Sequence, residues 1–141
     1  YLDRVEILKE RQTYSIKDIT FTVPVRHVHP VETYGFLFHL DKTIGLIADT
    51  RYFEELPECY RSDCLIANVL RKKPIEQHDA VAHLAVDDFA RIVTQVKPEV
   101  AIMTHFGMNL IREKPYLLAQ HLKEETGIDI IAAYDGMKWS F

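Results

Sequence analysis

Three short, almost wholly apolar runs limit the folds that are open to this chain. They cover residues 44–48, 64–70 and 100–104, and their length and composition are typical of buried strands. Residues 19–25 instead alternate apolar and polar side chains with a period of two, which indicates a half-buried strand. Pro24 cannot donate to a strand ladder, so this strand is expected to end at an edge or a bulge. The chain is therefore expected to fold around a β-sheet.

Two longer segments have the pattern of helices. Val86, Phe89, Val93 and Val96 recur at the spacing of an amphipathic helix. A second helix is predicted for residues 115–126, where a proline occupies the favoured first position and a glycine follows the end. The other expected elements are a hairpin of strands 34–40 and 43–48, a short helix at 52–59, a polar loop at 71–79, and strands at 128–133 and 138–141.

The order of these elements predicts a single α+β domain over residues 1–141, with a mixed, largely antiparallel sheet and helices on one face. A chain that is 48% hydrophobic and 27% charged is expected to be globular. No apolar run approaches the roughly 18 residues that span a bilayer, and the first residues lack the pattern of a signal peptide. Because Cys59 and Cys64 are too few for a disulfide framework, a cytoplasmic location without a membrane partner is expected.

The balance of charges bears on the choice of partners. A net charge of −4 argues against a broad electrostatic hold on nucleic acid. The basic cluster Arg71, Lys72 and Lys73 can hold phosphates, but a solvated loop is the simpler interpretation. Nucleic acid is therefore kept as a candidate partner, although the net charge does not favour it.

Polar residues that can bind metals follow the predicted strands. Asp49 and His105 directly follow two of the apolar runs, and His27 and His29 follow the alternating strand. Ligand sites in open sheets collect beyond the carboxyl ends of the strands, so we expect these side chains to meet at one sheet edge. Two imidazoles and a carboxylate suit Zn²⁺, and Mn²⁺ or iron would accept them as well.

Each of these residues also has an ordinary structural interpretation. Asp49 can form an Asx turn or cap a helix, and a lone histidine after a strand is more often structural than a ligand. His83 lies just before the helix that begins near Val86, where it can donate a proton to a leaving group or simply bond the local backbone. The wide spacing of the candidates matches no short metal-binding motif.

Four segments, taken in order, resemble the C-terminal half of the metallo-β-lactamase superfamily. They are His-Pro-Val-Glu-Thr-Tyr-Gly-Phe at 29–36, Leu-Ile-Ala-Asp-Thr at 46–50, His-Leu-Ala-Val-Asp-Asp at 83–88 and Ile-Met-Thr-His-Phe-Gly at 102–107. The similarity extends from about residue 20 to the end, and it is to the branch of hydrolases and nucleases related to ribonuclease Z, including uncharacterised prokaryotic metallohydrolases. It implies half of an αββα sandwich.

The resemblance also implies a role for each candidate residue. His29 would ligate a first metal ion, Asp49 would bridge two ions and His105 would ligate the second. His27, two residues from His29, is the alternate first ligand. His83 matches a histidine that assists the scissile phosphate or protonates the leaving group, so His83 and Asp49 are the implied catalytic residues. The implied cofactors are two divalent metal ions, with zinc expected and manganese or iron as alternatives.

One departure from the family is serious. Its signature His-x-His-x-Asp-His, which supplies most of the metal ligands, is absent, and residues 78–83 do not match it. The implied partner is therefore the missing N-terminal half of the fold, from the same or another polypeptide, and a homo-oligomer remains open.

These arguments predict a metal-dependent hydrolase in which a metal-bound hydroxide attacks a phosphodiester or ester-type bond of a small-molecule or phosphodiester substrate. This chain would supply part of the dinuclear site. The alternatives are a non-catalytic interaction module that retains the fold and a di-iron redox member of the same superfamily.

Overall fold

A computed structural model describes residues 5–74 and 82–140. The strands found there are β1 (Gln12–Ile16), β2 (Ile19–Val23), β3 (Phe36–His39), β4 (Thr43–Ile47), β5 (Cys64–Arg71), β6 (Leu84–Ala85), β7 (Val100–Thr104) and β8 (Asp129–Ala132). The helices are α1 (Leu56–Cys59), α2 (Val86–Val96), α3 (Met108–Arg112) and α4 (Pro115–Thr126). The longest has 12 residues, and no helix in the described ranges has the length and apolar character that crossing a membrane requires.

The described strands form one mixed sheet in the order β1-β2-β3-β4-β5-β7-β8, with β6 paired to β5. Neighbours from β1 to β4 are antiparallel, whereas those from β4 to β8 are parallel. The mixed sheet confirms the predicted fold class, but the prediction that antiparallel pairing would dominate is wrong. The helix α1 lies between β4 and β5, α2 between β5 and β7, and α3 and α4 between β7 and β8. Such crossovers return the chain to the sheet in its original direction, so β5, β7 and β8 join in parallel.

The helices pack on one face of the sheet, as the sequence predicts. Phe89, Ile92 and Val93 of α2 are fully buried in one cluster with Leu65 of β5 and Met103 of β7. Burying an apolar side chain of this size stabilises the folded chain by roughly 1.5–3 kcal/mol. The cluster therefore fixes α2 behind the parallel strands, whose carboxyl ends carry the candidate site.

The opposite face of the sheet carries its own apolar side chains. Ile44, Ile66, Ile102 and Ile131 lie on the four parallel strands β4, β5, β7 and β8 and belong to a second cluster that contains no residue from the described helices. Ile44 and Ile66 are only half-buried there. Ile102 is buried, so we call the surface formed by Ile44, Ile66 and Ile131 the open apolar face.

Several elements differ from the sequence-based expectation. Residues 138–140 form no strand, and residue 141 lies outside the described residues; Trp139 instead lines a cavity against Ile44. β1 was not predicted, because it is mostly exposed on both faces and shows no apolar alternation. α3 was not predicted either, and its five residues include one buried side chain, Leu110. The predicted loop at 71–79 starts later, since Arg71 still belongs to β5, and its part beyond residue 74 lies outside the described ranges.

Other predicted boundaries were too long. β2 stops at Val23, before the proline that cannot donate to a ladder, and β3 begins only at Phe36. The first helix is reduced to the single turn of α1. α2, β7 and α4 occupy the positions that their sequence patterns predict.

Candidate metal centre

Four candidate side chains come together beyond the strand ends. Asp49 lies two residues after β4, His105 directly follows β7, and His83 immediately precedes β6. His29 comes from the segment between β2 and β3. The site is thus assembled from four separate parts of the chain by the order of strands in the sheet.

Asp49 is the centre of the group. His83 Nε2 lies 3.4 Å from Asp49 Oδ2, and His105 Nε2 lies 3.5 Å from Asp49 Oδ1. The ring centroid of His83 is 5.3 Å from that of His29 and 5.6 Å from that of His105. Ligand atoms of His29, Asp49 and His83 all lie within 4.8 Å of one another. Ligands that share one zinc ion at about 2.0–2.2 Å lie closer together than this, so small side-chain movements would let these donors hold a divalent ion.

The Asp49 carboxylate is held in its ionised form. Partial burial raises its pKa, but a hydrogen bond from Asn68 and the neighbouring histidines outweigh burial and leave the pKa below its usual value. Asn68 Nδ2 donates to Asp49 Oδ1 over 2.8 Å. An ionised carboxylate is the form that binds metal.

His83 is more enclosed than His105, whose side chain is 46% exposed. The side chain of His83 is 10% exposed, and burial lowers its pKa in spite of the nearby Asp49. Its Nδ1 is buried and has no hydrogen-bond partner within the described residues. The structure therefore places His83 Nε2 against Asp49, within 4.8 Å of the ligand atoms of His29 and Asp49.

His29 has the outer partner that a ligating histidine usually has. Its Nδ1 is hydrogen-bonded to the Thr33 hydroxyl over 3.2 Å. A bond of this kind fixes the ring and leaves Nε2 for a metal ion. His29 therefore meets the geometric requirement for the first predicted ligand.

His27, the alternate ligand, is adjacent to Asp49 but is not among the side chains whose ligand atoms come together. It is 3% exposed, and its Nε2 is hydrogen-bonded to the Tyr60 hydroxyl over 2.7 Å. Burial lowers the pKa of His27 to about 4. A Cβ at Gly35 would lie 2.3 Å from the Tyr60 hydroxyl and 2.9 Å from His27 Cε1, so only glycine allows this close packing. His27 thus belongs to the support beneath the site.

The backbone around His105 is constrained. His105 has a φ of 61°, a left-handed conformation that non-glycine residues adopt rarely. The amide of Gly107 donates to Leu70 O over 3.0 Å, and a Cβ at Gly107 would lie 2.6 Å from that oxygen. The glycine two residues after His105 therefore lets the turn dock on β5 and aims the imidazole back at Asp49.

Two residues of the site, Thr33 and Asn68, were not predicted from the sequence. Thr33 carries no pattern that marks it. Asn68 does carry one, because it is a polar residue inside the apolar run 64–70, at the end nearest the predicted site. A polar side chain in such a run indicates a buried hydrogen bond or a functional contact.

A helix-backed mixed sheet with histidines and an aspartate beyond its strand ends defines a hydrolase-like fold with a candidate metal centre. The family comparison agrees, since a model described as the beta-lactamase superfamily domain matches residues 2–106. The chain belongs to this superfamily, and the predicted resemblance to its metallo-β-lactamase members is confirmed.

Three relatives illustrate the match. An uncharacterized protein of Methanocaldococcus jannaschii is 29% identical over 97% of this chain and 51% of its own length. The metallo-beta-lactamase fold protein YhfI of Bacillus subtilis superposes with a TM-score of 0.76 at 18% identity, covering 94% of this chain and 52% of its own. A diphosphatase of the PhnP family gives 0.68 at 21% identity, covering 94% and 47%. The chain therefore spans about half the length of these relatives.

Proposed function

We propose that this chain supplies one side of the metal centre of a hydrolase that cleaves a phosphodiester or ester-type bond. The observation that carries the proposal is the Asp49 carboxylate, whose two oxygens face the Nε2 atoms of two different histidines. A carboxylate flanked in this way is suited to bridge two cations.

His29, Asp49 and His105 would hold two divalent ions. Zinc is the first choice because the donors are imidazole nitrogen and carboxylate oxygen, and manganese and iron accept the same donors. When bound, such ions supply Lewis-acid chemistry, which activates water near neutral pH and stabilises developing negative charge.

His83 can serve in either of two roles. The resemblance assigns it to protonating the leaving group, and its place beside Asp49 keeps it near any substrate that reaches the ions. Its ligand atom lies within 4.8 Å of those of His29 and Asp49, which instead favours direct coordination of a metal ion by His83. We propose the proton-donor role, and the His83→Ala variant described below separates the two.

A phosphate ester is the favoured substrate class. One of the similar structures is a diphosphatase, and the branch of the superfamily that the sequence resembles includes nucleases related to ribonuclease Z. A cavity of about 360 Å³ opens beside His105 and is lined in part by Phe106 and Tyr134. This volume accommodates a small aromatic or sugar-sized leaving group.

The open apolar face supports the proposed partner. Contiguous apolar surface on a folded protein marks a site that another surface covers, and the relatives are about twice the length of this chain. We propose that the N-terminal half of the fold, in the same or another polypeptide, covers this face and contributes the remaining metal ligands. A cytoplasmic setting, in which Cys59 and Cys64 stay reduced, is part of the same proposal.

The first experiment is elemental analysis of this chain, purified without chelator, alone and after mixing with the N-terminal half of the Methanocaldococcus jannaschii relative. Bound zinc, manganese or iron that rises on mixing, together with hydrolysis of bis-p-nitrophenyl phosphate, would support the proposal. No metal in either sample would favour a non-catalytic interaction module. A coloured, iron-loaded sample without hydrolysis would favour the di-iron redox alternative.

A further inference from the structure

Asn68 lies between the strand ends that present Asp49 and His105. It belongs to β5, which pairs in parallel with β4 on one side and with β7 on the other. Its register partner on β7 is Thr104, the residue directly before His105. The side chain of Asn68 is therefore placed between a candidate bridging carboxylate and a candidate terminal ligand.

The Asn68 amide makes the two oxygens of Asp49 different from one another. Its Nδ2 donates to Oδ1 over 2.8 Å, and the same Oδ1 lies 3.5 Å from His105 Nε2. Oδ2 faces His83 Nε2 at 3.4 Å and receives no bond from Asn68. An ionised carboxylate oxygen has two lone pairs, so Oδ1 keeps one for a cation after it has accepted the Asn68 proton.

We infer that Asn68 is a positioning residue that fixes the rotation of the Asp49 carboxylate. With the carboxylate held in this way, Oδ1 would be available to a cation held with His105, and Oδ2 to a cation held with His29. The inference rests on the proposed function, because it assigns each oxygen of the bridge to one of the two ions. Loss of the amide would leave the carboxylate free to turn, which weakens the His105 side more than the other.

The test is a Co²⁺ titration, followed by visible absorption, of the protein that holds the ion in the preceding experiment. The variant is Asn68→Leu, which has nearly the same shape and removes the donor. The matched control is Gln120→Leu, because Gln120 donates to Glu124 on the exposed side of α4 and the variant loses the same type of amide–carboxylate bond. Thermal unfolding of each variant without metal reports whether the fold is intact, and Asn68→Ala replaces the leucine variant if that one does not fold.

Asn68→Leu is expected to lower the affinity for the more weakly held Co²⁺ by about 10–100-fold, the usual cost of losing an outer partner of a metal ligand. It should also change the absorption bands of the Co²⁺ that remains, whereas Gln120→Leu should change neither. A purely structural role would lower the unfolding temperature without altering the bands.

Two results would overturn the inference in different ways. Wild-type affinity and bands in Asn68→Leu would show that Asn68 does not orient Asp49, while the proposed function would stand. Failure of the wild-type protein to take up Co²⁺ would overturn the proposed function and this inference together.

Discussion

The imidazole rings of His83 and His105 are stacked, with an angle of 13° between them and 5.6 Å between their centroids. Their Nε2 atoms face opposite oxygens of Asp49. This arrangement makes the carboxylate the common partner of both histidines, and replacing Asp49 or His83 tests it.

Asp49→Ala is expected to abolish metal uptake and leave the fold largely intact. The carboxylate contacts both histidines, so its loss should cost more than the roughly 10–100-fold in affinity that an outer partner costs. The measurement is metal content by elemental analysis, with circular dichroism as the test of folding. Asp18→Ala, at an exposed turn, is the control and should retain metal. Full metal content in Asp49→Ala would show that Asp49 does not bind the metal.

His83→Ala is expected to retain metal and to lower the rate of phosphodiester hydrolysis by roughly 10²–10⁴-fold, the usual contribution of a general acid. His121, an exposed residue of α4, provides the control His121→Ala, which should keep the wild-type rate. Metal content and rate are measured on the same preparations. Loss of the metal together with the rate would make His83 a ligand instead of a proton donor.

Tyr60→Phe is expected to lower the free energy of unfolding by about 1–3 kcal/mol, because it leaves His27 Nε2 buried without its partner. Tyr34→Phe is the matched control, since the Tyr34 hydroxyl bonds Glu32 at the surface and its loss should change stability little. Urea unfolding measures both variants. Equal losses of unfolding free energy in the two variants would show that the buried His27–Tyr60 bond stabilises the fold no more than the surface bond does.

Asp63 provides a prediction about pH. Hydrogen bonds from the backbone amide and the hydroxyl of Thr43 lower the pKa of the Asp63 carboxyl below its ordinary value of 3.8. The unfolded chain therefore binds this proton more tightly, so the stabilisation is present above the ordinary pKa and is lost as the pH falls through the lowered one. Wild type should exceed Asp63→Asn in unfolding free energy at pH 7, by a margin that narrows below about pH 4.

Denaturant unfolding at several pH values measures that margin. A margin that stays constant down to the acid range would mean that Asp63 contributes through packing and not through its charge. Asp129→Asn, which alters a surface pair with Lys123, is the control for a general effect of removing one negative charge.

The sequence predicts those parts of the molecule that depend on local pattern. The apolar runs mark where strands end, and therefore where Asp49 and His105 stand, and the stripe on α2 marks its buried side. The parallel pairing after β4 and the approach of His83 to Asp49 depend on how distant segments cross over the sheet, which no local pattern encodes. Asn68 falls between these cases, because its polarity was visible but its partner was not.

The assembly of the centre from four distant segments couples ligand binding to folding. An unfolded chain holds His29, Asp49 and His105 too far apart to bind cations together, so a cation that needs more than one of them binds only the native state. Such a cation adds about 2.7 kcal/mol to stability when its concentration is 100 times its dissociation constant. For this protein, the supply of metal would therefore set how long the folded chain survives heat and proteolysis, in addition to whether it is active.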